Sequence, residues 1–242
     1  MRQYEAVIQT LERLGGQATH AELYREVMKI KDCKWDTRTP FASIRRIVQT
    51  RPETFRVRPG LWALRSFQAK LGLAEQLDPQ QSTPETEEQS HAYYQGLLVK
   101  IGNLRGFATF VPNQDKNKRC VNKPLGEMRS LQQLPAFSHQ VLVRRSGSID
   151  VIWFNPRQMP NSFFEVEHST DIQNSLLKFC DLQDFYARMV IVADENRRAE
   201  FEQKIRRSAL DAIKGRVNFL GYNLLVKQYE YEVLKINQEF AL

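Results

Sequence analysis

Two glutamates one residue apart stand in an apolar run in the second half of the chain. Residues 163–169 are typical of a strand, in which residues i and i+2 point to the same face, so Glu165 and Glu167 would share a face. Asp150 stands inside the preceding strand-like run, residues 148–154. If these two strands are antiparallel neighbours, the three carboxylates come close together.

Three carboxylates so close together repel one another, and a divalent cation relieves that repulsion. Ligand sets made only of oxygen suit Mg²⁺ or Mn²⁺. Such a cation lowers the pKa of a bound water and stabilises the charged transition state of phosphodiester hydrolysis. The alternative is a solvated strand face whose acids pair with Lys or Arg. Because the strand lies between another predicted strand and an apolar helix, we expect an interior strand and a metal site.

Hydrophobic periodicity indicates the elements that would hold these acids. The predicted order is a helix over 93–101, strands at 107–111, 141–143, 148–154 and 163–169, a helix over 172–185, a strand at 189–193, a basic helix over 197–213 and further strands near the C-terminus. The loop over 112–119 is polar and basic. Its side chains expected to bind phosphate are Lys116, Lys118 and Arg119, and Asp115 is a further candidate for the site.

These residues and the order of their elements resemble the PD-(D/E)XK nuclease superfamily of restriction-endonuclease-like proteins, over about residues 91–226. The residues that carry the resemblance are Ile149-Asp150-Val151-Ile152-Trp153, Phe164-Glu165-Val166-Glu167-His168-Ser169-Thr170 and Leu176-Leu177-Lys178-Phe179-Cys180-Asp181-Leu182. The resemblance implies a central mixed sheet flanked by helices, and metal-dependent cleavage of DNA phosphodiester bonds.

The resemblance also implies roles for single residues. Asp150 and Glu165 would hold Mg²⁺ or Mn²⁺. The family usually has lysine where this chain has Glu167, which would serve as a second metal ligand or as the general base. The first helix of the family often supplies another acid. Gln95 stands at that position, where it would orient water or metal.

Charge divides the chain into three parts. The 35 basic and 28 acidic residues give a net charge of +7, and residues 1–66 carry net +6, residues 67–90 net −4 and residues 91–242 net +5. Residues 78–90 hold no aromatic or β-branched apolar residue, which is typical of a linker. We therefore predict two basic domains, 1–66 and 91–242, joined by an acidic linker over 67–90.

The N-terminal part has the pattern of a winged helix-turn-helix. Apolar residues at helical spacing predict a helix over 4–14, a second helix capped by Thr19 and Glu22, and a third that starts at Pro40. Residues 55–64 have the composition of a hairpin. The pattern resembles the helix-turn-helix module that is fused to restriction endonucleases and to some chromatin and polymerase subunits.

Arginine is concentrated on the third helix and the hairpin of this part, where cations can reach the phosphates and base edges of DNA. The expected DNA-binding residues are Arg38, Arg45, Arg46 and Arg51 on the third helix, and Arg56 and Arg58 on the hairpin. The alternatives are a solvated helix face and a winged helix that binds proteins.

The remaining features bear on location. No apolar run approaches the roughly 20 residues of a membrane span, and the N-terminus lacks the apolar core of a signal peptide. The three cysteines are far apart, which is typical of reduced thiols rather than a structural zinc site. We therefore expect a soluble cytoplasmic protein without a membrane partner.

Together these patterns predict an α+β protein, with an N-terminal winged helix-turn-helix and a C-terminal restriction-endonuclease-like α/β domain. The predicted function is that of a restriction or defence endonuclease that hydrolyses double-stranded DNA, as a homodimer because each active site cuts one strand. One alternative is a catalytically inactive, nuclease-fold DNA-binding regulator or sensor, which Glu167 and Gln95 favour. The other is an adaptor whose basic surfaces bind acidic proteins.

Overall fold

The computed structural model describes residues 1–71 and 84–239. The chain divides into two compact units. One comprises Met1–Ser82 together with Val233–Leu242, and the other comprises Thr83–Glu232.

The first unit combines three helices with a small antiparallel sheet. Its elements are α1 (Gln3–Arg13), β1 (Gln17–Thr19), α2 (His20–Val27), α3 (Pro40–Thr50), β2 (Thr54–Arg58) and β3 (Leu61–Leu64). The strand order is β1-β3-β2, with both pairings antiparallel. Gly60, with φ of +74°, makes the turn between β2 and β3, a backbone conformation that side chains disfavour. Apolar faces of the three helices meet the sheet in one core, which includes Leu11, Leu23, Ile44 and Trp62.

Two details of the first unit test the sequence predictions directly. The predicted capping box at α2 is confirmed, because the backbone N–H of Glu22 donates to Thr19 Oγ1 at 3.2 Å and that of Thr19 donates to Glu22 Oε2 at 2.8 Å. The placement of Arg38 and Arg51 on the third helix was wrong, because this helix covers Pro40–Thr50. That helix begins at Pro40, whose fixed φ suits the first helical position.

The second unit is built around a five-stranded mixed sheet. Its elements are α4 (Pro84–Leu104), β4 (Ala108–Phe110), β5 (Arg119–Cys120), β6 (Lys123–Pro124), α5 (Leu125–Met128), α6 (Gln140–Ser146), β7 (Val151–Phe154), β8 (Pro160–Glu167), α7 (Ile172–Cys180), β9 (Arg188–Ala193), α8 (Arg198–Ile205), β10 (Val217–Gly221) and α9 (Tyr222–Glu239), of which the residues up to Glu232 belong to this unit. The strand order is β10-β9-β8-β7-β4.

The central sheet contains both parallel and antiparallel strand pairs. Strands β8, β9 and β10 run parallel, whereas β7 is antiparallel to both β8 and β4. One apolar core contains Phe163 of β8, Leu176 and Phe179 of α7, and Ile191 of β9. Helix α4 contacts β4, β7 and β8. Helix α7 contacts β8 and β9, so β8 packs against both helices.

Several expectations for this unit were wrong. Residues 141–143 belong to the helix α6 and are not a strand, because a short apolar run fits a helix as well as a strand. Within 197–213 only Arg198–Ile205 forms an α-helix. The chain continues after β10 as the helix α9 rather than as another strand. The predicted linker over 67–90 is helical from Pro84, and its residues 72–83 lie outside the described part of the chain.

None of the helices in residues 1–71 and 84–239 combines the length and the apolar composition that a membrane crossing requires.

The contact of α4 with the sheet depends on glycine at position 102. A Cβ at Gly102 would lie 2.6 Å from Thr109 Cγ2 and 2.6 Å from Trp153 Nε1. Trp153 Nε1 is held in place because it donates to the carbonyl of Leu98 at 3.1 Å. We therefore expect Gly102→Ala to destabilise this unit, since overpacking costs about 1–3 kcal/mol and outweighs the about 1 kcal/mol that alanine gains in helix propensity.

Thermal unfolding checks this expectation. Gly215→Ala is the matched control, because a Cβ at exposed Gly215 meets no heavy atom within 4 Å. The melting temperature should fall in Gly102→Ala and stay near that of the parent protein in Gly215→Ala. Equal melting temperatures in the two variants would contradict the close approach of α4.

Candidate active site

The paired ends of β7 and β8 bring the predicted acids together. Asp150 directly precedes β7 rather than lying inside it, and Glu165 and Glu167 lie at the C-terminal end of β8. The backbone N–H of Asp150 donates to Glu165 Oε1 at 3.3 Å, and that of Val166 donates to Asp150 Oδ2 at 2.8 Å. Asp150 is 9% exposed, Glu165 1% and Glu167 4%. All three carboxylates are therefore buried at one end of the sheet.

Glu165 and Glu167 both point towards α7. The Ser175 hydroxyl of this helix lies within hydrogen-bonding distance of Glu165 Oε2, at 2.8 Å, and of Glu167 Oε1. A hydroxyl has one hydrogen, so Ser175 donates to one of the two carboxylates at a time. The other oxygen of Glu167 accepts from the Thr170 hydroxyl. The two glutamates thus share a face, as their spacing predicts.

The charge of Glu165 is only partly compensated. Burial and the neighbouring charge of Asp150 raise the pKa of Glu165 to about 8, and the ammonium of Lys178 does not fully offset them. The charged form of this carboxyl is therefore disfavoured, and a further cation at the site would stabilise it.

Lys178, on α7, is the cation that hydrogen-bonds to Glu165 in the described part of the chain. Its Nζ donates to Glu165 Oε2 at 2.7 Å and to the carbonyl of Ser148 at 3.1 Å. Burial alone lowers the pKa of Lys178, but the charge of Glu165 outweighs this, and the pKa lies above its ordinary value. Lys178 was not among the predicted site residues. The available signal is the spacing of Ser175 and Lys178, which puts both on one side of the helix.

Asp150 is approached from the other direction by α4. His91 Nε2 lies 3.4 Å from Asp150 Oδ2. Gln95, one turn further along, is fully buried, and its Nε2 donates to Asp115 Oδ2 at 3.0 Å and to the carbonyl of Asp150 at 3.3 Å. The predicted Gln95 therefore lies beside Asp150, and the loop residue Asp115 joins them. His91 was missed, although its i, i+4 relation to Gln95 puts both on one face of a helix.

His91, Asp115 and Asp150 each offer one ligand atom, and these atoms lie within 4.8 Å of one another. Burial alone lowers the pKa of His91. The hydrogen bond and charge of Asp150, together with the charge of Asp115, outweigh it and raise the pKa above its ordinary value. The imidazole therefore lies in a net negative potential, which the charge of Lys118 weakens.

The basic loop residues differ in their surroundings. Lys118 Nζ lies 2.8 Å from Asp115 Oδ1 and 3.6 Å from Glu88 Oε1, so its ammonium group forms ion pairs within this unit. Arg119 Nη2 donates to the carbonyl of Asn122 at 2.6 Å, and its side chain is exposed. Lys116 is exposed as well.

The arginines of the first unit also differ. The guanidinium of Arg51 lies 3.7 Å from the centre of the Tyr4 ring, a cation–π contact inside the unit. Arg58 is half-buried. The exposed members of the predicted set are Arg38, Arg45, Arg46 and Arg56.

Comparison with known proteins gives the family. A family model described as the Type II restriction enzyme NmeDI C-terminal domain matches residues 73–240. The Type II restriction enzyme NmeDI of Neisseria meningitidis serogroup C is 30% identical over 124 residues, which cover 47% of this chain and 35% of that relative. The match thus spans about a third of the relative's length. No solved structure gives a significant match. Because the family model covers most of its length, the chain belongs to the family of the NmeDI C-terminal domain.

Proposed function

We propose that this chain is a divalent-metal-dependent endonuclease of the restriction type, which hydrolyses phosphodiester bonds of double-stranded DNA. The observation that carries the proposal is the buried pair of Asp150 and Glu165 on adjacent strand ends, with Lys178 against Glu165. Membership of the NmeDI C-terminal domain family supports it. So does the resemblance of the same residues to the PD-(D/E)XK superfamily.

The donor set of the site fits Mg²⁺ or Mn²⁺. Asp150 and Glu165 offer buried carboxylate oxygens, and the raised pKa of Glu165 indicates that its negative charge lacks full compensation. A cation held by Asp150 and Glu165 would supply the charge that stabilises the phosphodiester transition state and would acidify a bound water.

Lys178 would perform the role that a lysine at the position of Glu167 performs in the superfamily. Its ammonium contacts the same carboxylate from a helix instead of from the strand. From there it holds Glu165 in one orientation and offers a positive charge to a nearby phosphate oxygen. Glu167 has both oxygens engaged by the hydroxyls of Thr170 and Ser175. For Glu167 to act as a second metal ligand or as the general base, these hydrogen bonds would have to break.

The first unit would bind the DNA. Its element order, α1-β1-α2-α3-β2-β3 with the strand order β1-β3-β2, supports the proposal that it is a winged helix. Arg45 and Arg46 on α3 and Arg56 on β2 are exposed and can reach phosphates. The homodimer remains a prediction, from the need to cut two strands.

A catalytically inactive DNA-binding regulator is the second candidate, because Glu167 occupies the superfamily's lysine position. Cleavage of unmodified and modified DNA with Mg²⁺ or Mn²⁺ separates the two. We expect cleavage by the parent protein and none by Asp150→Asn or Glu165→Gln, with DNA binding retained in both variants. Binding without cleavage on every substrate would favour the regulator instead.

Lys178→Met should lower the cleavage rate by about 10²- to 10³-fold, the usual effect of removing one charge-stabilising donor. Lys214→Met is the matched control, since Lys214 is exposed. The rate under saturating DNA is the quantity to measure, with circular dichroism to verify the fold. A rate unchanged in Lys178→Met would show that the lysine is only structural.

Arg45→Ala with Arg46→Ala should weaken DNA binding and make it less dependent on salt, by about 0.9 in the log–log slope for each phosphate that the variant no longer neutralises. Arg13→Ala serves as the control, because Arg13 lies on α1 and is paired with Glu26 at 3.3 Å. Binding curves at several salt concentrations measure both effects. Equal slopes for the double variant and the parent would remove α3 from the proposed DNA interface.

A further inference from the structure

A second polar group lies on the α4 side of Asp150, apart from the glutamates that face α7. It consists of His91, Asp115 and Asp150, and we call it the histidine cluster. Asp115 is 3% exposed and Asp150 9%. Glu165 is not part of this group, and its Oε2 is already engaged by Ser175 and Lys178.

The positive charges beside the cluster do not contact all of its carboxylate oxygens. Lys118 approaches Asp115 through Oδ1, whereas Oδ2 of the same carboxylate accepts only the neutral amide of Gln95 in the described hydrogen bonds. Asp150 Oδ2 receives the backbone N–H of Val166 and faces the imidazole of His91. The carboxylates of Asp115 and Asp150 therefore each have an oxygen within 4.8 Å of an imidazole nitrogen of His91.

Gln95 provides a second observation at the cluster, because one of its buried polar atoms has no hydrogen-bond partner among the described residues. The side chain is fully buried, and its Nε2 points into the cluster at Asp115 and at the carbonyl of Asp150. Its Oε1, on the same carbon atom, is buried and has no hydrogen-bond donor among the described residues. Buried carbonyl oxygens in proteins nearly always have a donor, which an ordered water can supply. The water ligands of a hydrated cation at the cluster would supply it.

We propose that His91, Asp115 and Asp150 together ligate a divalent cation of the first transition series. This proposal rests on the proposed metal-dependent function, since Asp150 belongs to both sites. It adds ligands from α4 and from the loop before β5 to the carboxylate of Asp150.

The nitrogen ligand decides which cation the cluster prefers. Imidazole suits transition ions, while Mg²⁺ favours carboxylate, carbonyl and water oxygens. One imidazole with two carboxylates therefore binds Mn²⁺, Co²⁺ and Zn²⁺ more tightly than Mg²⁺, with affinity rising from Mn²⁺ to Co²⁺ in the usual order of these ions.

Mn²⁺ binding to the whole chain without DNA tests the proposal. Electron paramagnetic resonance gives the affinity, and its pulsed form detects the coupling of bound Mn²⁺ to an imidazole nitrogen. We expect nitrogen coupling in the parent protein and its loss in His91→Gln. Loss of an outer-shell partner alone weakens metal binding by about 10- to 100-fold, so removal of this direct ligand should cost at least about tenfold.

Two further variants complete the design. His139→Gln is the matched control, because His139 is exposed and lies outside the cluster. It should keep the nitrogen coupling and the affinity. Asp115→Asn should weaken Mn²⁺ binding but keep the coupling, which covers the case in which His91→Gln does not fold. Absence of Mn²⁺ binding, binding without nitrogen coupling, or coupling that persists in folded His91→Gln overturns the proposal.

The outcome is independent of the test for cleavage. Nitrogen coupling that depends on His91, without cleavage of any DNA, would keep the metal site and remove the nuclease function. Cleavage that is supported by Mg²⁺, in a protein whose Mn²⁺ shows no nitrogen coupling, would keep the function and remove the histidine cluster as its metal ligands.

Discussion

The burial of Asp150 and Glu165 side by side is the constraint on which the second unit depends. Carboxylates removed from water need partners, and their mutual repulsion makes the need greater. The two helices at this end of the sheet supply these partners. Helix α7 brings Lys178 and Ser175 to Glu165, and α4 brings His91 to Asp150. Packing and charge compensation are therefore carried out by the same elements.

Local chemistry made part of this arrangement predictable. The alternation of side chains along a strand put Glu165 and Glu167 on one face, and the shared apolar pattern paired their strand with the one after Asp150. The cap at Thr19 and the start at Pro40 likewise depend only on neighbouring residues. In each case the contacts that decide the structure lie within a few residues or along one strand pair.

Lys178 and His91 were not predicted, because their positions in the site depend on how whole helices pack against the sheet. Nothing in the neighbourhood of Lys178 shows that its helix crosses the end of β8, and His91 was assigned next to a linker because the preceding residues are acidic. The error at residues 141–143 has another cause. Three apolar residues cannot distinguish a strand from one side of a short helix, and the helix here ends at Ser146, with Gly147 as its C-cap.

The sequence separations between residues that meet in the site have a consequence for the order in which it assembles. Asp150 and Glu165 meet across 15 residues and Glu165 and Lys178 across 13, whereas Gln95 reaches Asp150 across 55. Closing a longer loop costs more chain entropy, so nearby segments associate before distant ones. Loop-closure entropy thus favours pairing of the carboxylate with its lysine counter-charge, within one contiguous stretch of chain, before α4 docks.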